Sequence, residues 1–504
     1  MYISNLKWKA SFNFRIPAFS ISYVIGLSYI YAFMVFSSPI FLFYFLPIVL
    51  LICFIWRNNI PLMNLVLFVV SLLFYFWGEK SYALVILFCV LSNHYTALGM
   101  ERFPRYRSTV LFLGVLINLS LLAYFKYYNF FMNEVLWVWG LSDKLSEQEM
   151  VHLPLGISFF TFHGLTYVVD VYRNQSKASH NLMHVGLYIL YFPQLIAGPI
   201  VRYSDIGTQI EHRQINAAGI HRGVRRFIIG LAKKIILANS LGRISDDIFA
   251  LNITDMHASL IWFGAIAFAY QIYYDFSGYS DMAIGMASMM GFHFHENFNF
   301  PFSSKSFSEL WQRWHISLTN FFRNYVYIPI GGNKKGVFRT YLHLFFVFAL
   351  TGFWHGASWN CLLWGIFTGI FLMLEKGVWG QWVKKWPIIP GNVYSMFLFC
   401  TAIIIFKIED IQILPEVFAK AFLWDRSWSG LYTVSYFMTA DLWLVLLLSI
   451  ILAWPVHQIP RVQVWMSKRW FNFGFGQLGL LLLFLITLSI MSASTYNPFI
   501  YFKF

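Results

Sequence analysis

Thr351-Gly352-Phe353-Trp354-His355-Gly356-Ala357-Ser358-Trp359-Asn360 sets a histidine between two apolar runs, near 341–354 and 358–374. An ionisable side chain at membrane depth is costly and usually faces an interior path. Gly352, Gly356 and Ala357 leave room beside the imidazole for a substrate chain. The competing reading is a packed core histidine sharing a hydrogen bond, and these ten residues leave both open. Further apolar runs lie outward from this stretch. They fall near 17–36, 39–56, 60–78, 83–98, 109–132, 257–274 and 276–291 on one side, and near 392–407, 441–456 and 474–492 on the other. A spanning helix needs about 20 mostly apolar residues, so the pattern predicts an all-α polytopic membrane protein with roughly a dozen transmembrane or re-entrant helices.

Composition agrees. With 59% hydrophobic, 21% aromatic and 12% charged residues over 504 positions, the chain is too apolar for a soluble globular protein. The net charge of +14 raises the question of nucleic acid. The basic residues, however, gather in short connections between apolar runs: Arg102, Arg105 and Arg107, then 222–234, then 305–339. That distribution marks cytoplasmic loops, and the last two clusters would also concentrate an anionic cytosolic donor. Lys7, Lys9 and Arg15 precede an apolar stretch that lacks a small-residue cleavage site, so the N-terminus reads as an anchor. Cys53, Cys89, Cys361 and Cys400 lack paired spacing and read as packing residues, with neither disulfide nor metal site expected.

The texture changes along the chain. Residues 139–151 are polar and suit an exposed loop or surface helix. From 153 to 213 the apolar pieces are short, broken by Pro154, Gly156, Gly164, Pro193, Gly198 and Pro199. Non-helical backbone at membrane depth survives only where protein or a watery cavity satisfies it, so a cavity is expected in this region. The segment 219–237 mixes Arg222, Arg225, Arg226, Lys233 and Lys234 with apolar residues, the pattern of a basic helix at the cytoplasmic interface.

A second histidine lies in Glu309-Leu310-Trp311-Gln312-Arg313-Trp314-His315-Ile316-Ser317-Leu318. Helical spacing would put Trp311, Trp314 and His315 on one side with Arg313 turned away, and Pro329 with Gly331 and Gly332 would end the helix. An aromatic interfacial helix explains the tryptophans and arginines equally well, but His315 less well. Two histidines near a cavity suit general acid–base work, because imidazole can take a proton from a hydroxyl as it attacks a thioester. Such transfer needs a base, a dry acyl channel and donors for the oxyanion. The candidates are His355 and His315 for catalysis, with Trp354, Trp311, Arg313, Arg323 and Asn360 around the substrate. The sequence contains no Gly-x-Ser-x-Gly elbow, His-Glu-x-x-His, P-loop or Asp-x-Asp pair. A transporter whose histidines relay protons along a path through 153–213 is the competing class.

Ordered motifs connect these elements. They run Leu153-Pro154-Leu155-Gly156-Ile157-Ser158-Phe159-Phe160-Thr161-Phe162, Asp170-Val171-Tyr172-Arg173, and Phe192-Pro193-Gln194-Leu195-Ile196-Ala197-Gly198-Pro199. Tyr274-Asp275-Phe276-Ser277-Gly278-Tyr279-Ser280-Asp281, Glu296-Asn297-Phe298-Asn299-Phe300-Pro301 and the two histidine elements follow. In this series the chain resembles the membrane-bound O-acyltransferases, in their bacterial polysaccharide-acetylating branch, and the tail from Tyr496 to Tyr501 is similar too.

The resemblance implies a ring of helices around a central funnel that narrows at the histidine. It aligns His355 with the family's intramembrane histidine and His315 with its second functional position. It further implies an acyltransferase of the inner membrane, multi-pass and in contact with membrane lipid, that binds no cofactor of its own. Acetyl-CoA is the expected acyl donor, an extracytoplasmic polysaccharide the acceptor, and a partner protein with a periplasmic catalytic domain completes the transfer. The expected division is a single integral domain over 1–504, with N-terminal helices in 1–135, the acyltransferase core in 150–375 and C-terminal helices in 390–504. D-alanyl transfer from a carrier protein to teichoic acid is the rival within the family. Those proteins are usually shorter after the histidine, so the extra segments in 390–504 favour acetyl transfer.

Overall fold

The computed structural model describes residues 34–423, 432–467, 474–494 and 496–498. The N-terminal anchor expected over 17–36 therefore lies almost wholly outside the described residues, as do the last residues of the tail. All regular elements among the described residues are helical. Helix α1 spans Ile60–Glu79, opened by Asn59, whose side chain accepts from the Leu62 amide, with a proline in its first turn. Lys80 turns the chain at a φ of 44°, and α2 follows over Ala83–Arg102. Helix α3, Arg107–Leu122, runs on through wide π-type turns at Ala123–Tyr127 and Phe131–Leu136. The polar stretch 139–151 is largely exposed, as its composition predicts.

Helix α4, Ile157–Tyr172, opens the broken region and continues into the short pieces Leu182–Leu190, Phe192–Leu195 and Tyr203–Glu211. Next come α5 (Ala217–Ala232), α6 (Ala258–Met289), α7 (Phe307–Arg313) and α8 (Ile316–Phe322). The chain then forms α9 (Val337–His355), α10 (Trp359–Leu374), α11 (Ile388–Lys407) and α12 (Gly476–Ala493). Six of the described helical stretches are long and apolar enough to cross a membrane. Their outward faces agree: Leu65, Leu73, Phe76 and Leu84 on α1 and α2, and Leu478, Leu481, Leu482 and Leu485 on α12, are exposed. Apolar surface so continuous is at home in lipid and a liability in water.

Two expectations need correction. The runs 257–274 and 276–291 form one 32-residue helix, α6, rather than two. The charge of Asp275 does not interrupt it, because Lys234 on the following turns of α5 pairs with that carboxylate at 2.7 Å, both side chains being buried. Close approach supports the pairing. A Cβ on Gly278 would come within 2.7 Å of the Gly230 carbonyl, and one on Gly285 within 2.7 Å of the Gly223 carbonyl. Glycines thus let the two backbones touch.

The second correction concerns the cavity expected in 153–213. Every residue of α4 except Val169 and Tyr172 is buried. The exposed backbone at the breaks is satisfied by protein instead of water. Ser71 Oγ accepts from the Phe192 amide, Glu79 from that of Leu155 and Ser317 Oγ from that of Ile200. Gln194 donates to the Tyr188 carbonyl and Asn64 to that of Ile210. With those groups paired, α4 and residues 185–201 are buried, and the cavity beside His355 takes no wall from this region.

Candidate active site

Helix α9 carries His355 as its last residue, and Gly356 leaves the helix in extended conformation. Its partner α10 is held very close: a Cβ on Gly352 would fall 2.7 Å from Gly365 Cα and 2.5 Å from the Cys361 carbonyl. Only glycine permits that approach, and it fixes the end of α9 against α10. His355 is buried, and its Nδ1 donates to the Thr351 carbonyl one turn back, at 2.7 Å. That bond sets the ring's orientation and leaves Nε2 as the nitrogen able to accept a proton.

The imidazole lines a narrow cavity of about 20 Å³, room for a single water, with Ile272, Trp311, Trp314, Trp364, Phe399, Ile403 and Phe406. None of these comes from 153–213. The Trp364 ring lies 5.0 Å from His355 and 5.5 Å from Trp311, edge to face in both cases. Trp354 meets His355 at 4.9 Å from its other side. The indole N–H groups of Trp311, Trp354 and Trp364 are buried without a hydrogen-bond partner among the described residues. Buried unpaired donors are costly, and an enzyme can hold them ready for charge that develops on a substrate.

His315 is placed differently from the expectation. The helix that should carry Trp311 to His315 stops at Arg313; Trp314 is extended, and His315 takes a left-handed φ of 42° as the cap of α8. A non-glycine residue in that region marks a constrained position. Trp311, Trp314 and His315 are still buried together while Arg313 is partly exposed, but a break in the helix does this, not helical periodicity. His315 Nδ1 faces Asn297 Oδ1 at 3.3 Å and the Leu318 amide at 3.4 Å. Its Nε2, like Asn297 Nδ2, is buried without a partner. The adjoining Trp314 links this histidine to the wall of the His355 cavity.

The other candidates divide. Trp311 lines the cavity and Trp354 stacks against Phe162 of α4 at 5.1 Å. Asn360, buried in the first turn of α10, donates to the carbonyl of the wall residue Phe406 at 2.9 Å. Arg313 pairs with Glu309 at 2.6 Å and bonds Ser303, away from the cavity. Arg323 is exposed. Cys53, Cys89, Cys361 and Cys400 are free and buried, as packing residues are. Among the described residues no group of three or more His, Cys, Asp or Glu side chains could hold a metal ion.

Two neighbours of the site escape a reading of sequence. Lys126, in the π-type turn after α3, is buried and donates to the Trp354 carbonyl and to Ser158 Oγ, the latter at 3.2 Å. Its signal was the one that exposes His355, an ionisable residue inside an apolar run, here 109–132. Trp364 sits in the run 358–374, where one more aromatic residue carries no signal.

Helices long and apolar enough to cross a membrane, with a histidine at the wall of a buried aromatic cavity, define a class, a multi-pass membrane protein with an ionisable group held inside it. The comparisons make it specific. The sequence pattern of the membrane-bound O-acyltransferase family matches residues 106–411. A probable alginate O-acetylase of Pseudomonas putida is 35% identical over 501 residues, covering 94% of this chain and all of the relative. A peptidoglycan O-acetyltransferase of Helicobacter pylori is 34% identical over 68% of this chain and 70% of its own. A teichoic acid D-alanyltransferase of Bacillus subtilis is more distant, 29% identical over 48% of this chain and 64% of its own. The chain belongs to the membrane-bound O-acyltransferase family.

Proposed function

We propose that this protein is an inner-membrane O-acetyltransferase that draws an acetyl group from acetyl-CoA at the cytosolic side and delivers it for O-acetylation of an extracytoplasmic polysaccharide, with His355 as general base. The observation that carries the reading is the His355 geometry: Nδ1 is committed to the Thr351 carbonyl, so Nε2 is the basic nitrogen, beside a small aromatic-walled cavity. In this reading Nε2 takes the proton of the acceptor hydroxyl as its oxygen attacks the thioester carbonyl. A C–O bond forms, the C–S bond breaks, and the proton leaves with the thiol. The unpartnered N–H groups of the cavity residues Trp311 and Trp364 suit the transient negative charge on the carbonyl oxygen, and Trp354 packs against the imidazole from outside the cavity.

His315 assists from its constrained turn, with its unpartnered Nε2 as the working atom. Asn360 holds the cavity wall, and Arg313 and exposed Arg323 are suited to the donor's phosphates. The alginate and peptidoglycan relatives support a polysaccharide acceptor, and a partner with an extracytoplasmic catalytic domain completes delivery. D-alanyl transfer has weaker support, because that relative matches less than half of this chain. A transporter path through 153–213 has weaker support, since the cavity beside His355 takes no wall from that region. The test uses purified protein in liposomes supplied with acetyl-CoA and a polysaccharide acceptor. Release of free CoA thiol is expected, and solute flux without thiol release would overturn the reading.

A further inference from the structure

We propose that Lys126 is a positioning residue for acyl transfer: its ammonium group caps the carbonyl of Trp354, fixing the end of α9 and with it the imidazole of His355. The inference rests on the reading of His355 as base. It starts from a helix terminus, where the last carbonyls have no partner within the helix. At the end of α9 the carbonyls that precede His355 are met. Thr351 O takes His355 Nδ1, and Gly352 O takes the Gly356 amide. The next two are met from a distant part of the chain: Phe353 O by the Tyr127 hydroxyl at 3.3 Å and Trp354 O by Lys126.

The two consecutive donors come from the π-type turn Ala123–Tyr127, a wide turn that presents both residues to one helix end. Such turns in α-helices are frequent at functional sites. Tyr127 also stacks on Phe353 at 4.5 Å, and the Lys126 ammonium lies 5.4 Å from the Trp354 ring. A cation at a helix C-terminus is favoured by the backbone dipole, an effect strengthened where water is absent.

A neutral donor would satisfy a carbonyl at far lower cost than a buried ammonium, and no ion pair between Lys126 and a carboxylate occurs among the described residues. Ser158, the remaining partner, belongs to α4, so the amine joins three helices at the residue preceding the base. A misplacement of about 1 Å at a reacting group can cost about 100-fold in rate, which is the scale on which this cap acts.

The experiment compares Lys126→Met, Lys126→Arg and His355→Ala with the unaltered protein in liposomes supplied with acetyl-CoA and a polysaccharide acceptor, following CoA thiol release and the amount of folded protein by size exclusion. Lys126→Met is expected to lose about 100-fold in kcat at near-normal donor KM and normal folded yield. Lys126→Arg, which keeps charge and donors, is expected to recover at least about a tenth of the rate. A Lys126→Met rate equal to the unaltered protein, a loss matched by lost folded protein, or no recovery with arginine would each overturn the proposal. If His355→Ala is inactive while Lys126→Met is fully active, only the role of Lys126 falls. An active His355→Ala variant overturns both readings.

Discussion

The broken region 153–213 and the region around His355 have the same raw material, short helices, glycines and aromatic side chains in membrane, and they solve opposite problems. In the first, helix breaks are closed by polar side chains, such as Ser71 accepting from Phe192 or Gln194 donating to Tyr188, and even the unpartnered imidazole of His163 is buried within α4. In the second, the helix ends are also closed, by Lys126 and Tyr127. There, however, His355 and the indoles of Trp311 and Trp364, whose N–H groups have no partner among the described residues, line a small cavity. Helix breaks therefore do not locate a reaction chamber. Unsatisfied polar atoms facing a void do.

Substitutions can break or sharpen that contrast. The largest effect after His355 itself is expected at His315. Asparagine tolerates the left-handed backbone that His315 occupies, so His315→Asn keeps the turn while removing the imidazole. A kcat for thiol release lower by about 100-fold or more is expected; an unchanged kcat would make His315 a turn residue. Trp364→Phe keeps a ring against His355 but removes the N–H, and should lower kcat by about 10- to 100-fold with little change in thermal stability. If stability falls and kcat holds, the indole is packing.

Smaller effects belong to the broken region and the surface. Ser71→Ala leaves the buried Phe192 amide without its acceptor, which should cost about 1–3 kcal/mol of stability while kcat per folded molecule stays constant. Thermal melting in detergent, read beside kcat, separates the two. A kcat defect at full stability would carry the chamber into 153–213. Arg323→Ala should do least, raising the donor KM a few-fold at constant kcat if the exposed guanidinium meets donor phosphates.

How much of this could be read in the sequence depends on the range of the interaction. The spans α1, α2 and α9 to α12 were visible because lipid imposes length and apolarity locally. His355 was visible because a titratable residue contrasts with the run around it. The continuity of α6 was not, since the partner that neutralises Asp275 lies on a neighbouring helix. The path of the chain at His315 was hidden for a related reason: nothing in Trp311-Gln312-Arg313-Trp314-His315 announces a left-handed residue, and periodicity reaches the right faces by the wrong route. Lys126 was within reach, but its meaning lies in a carbonyl 228 positions away. The cavity beside His355 takes no wall from 153–213; breaks in a helix show in sequence while the side chains that heal them do not.

The central claim is that His355 serves as the base of acyl transfer to an envelope glycan. The direct measurement is base-labile acetate on fractionated envelope polysaccharide from cells carrying either the unaltered protein or His355→Ala, at equal levels of inserted, folded protein. The account predicts that the ester acetate disappears with the substitution. Acetate at the unaltered level would contradict it.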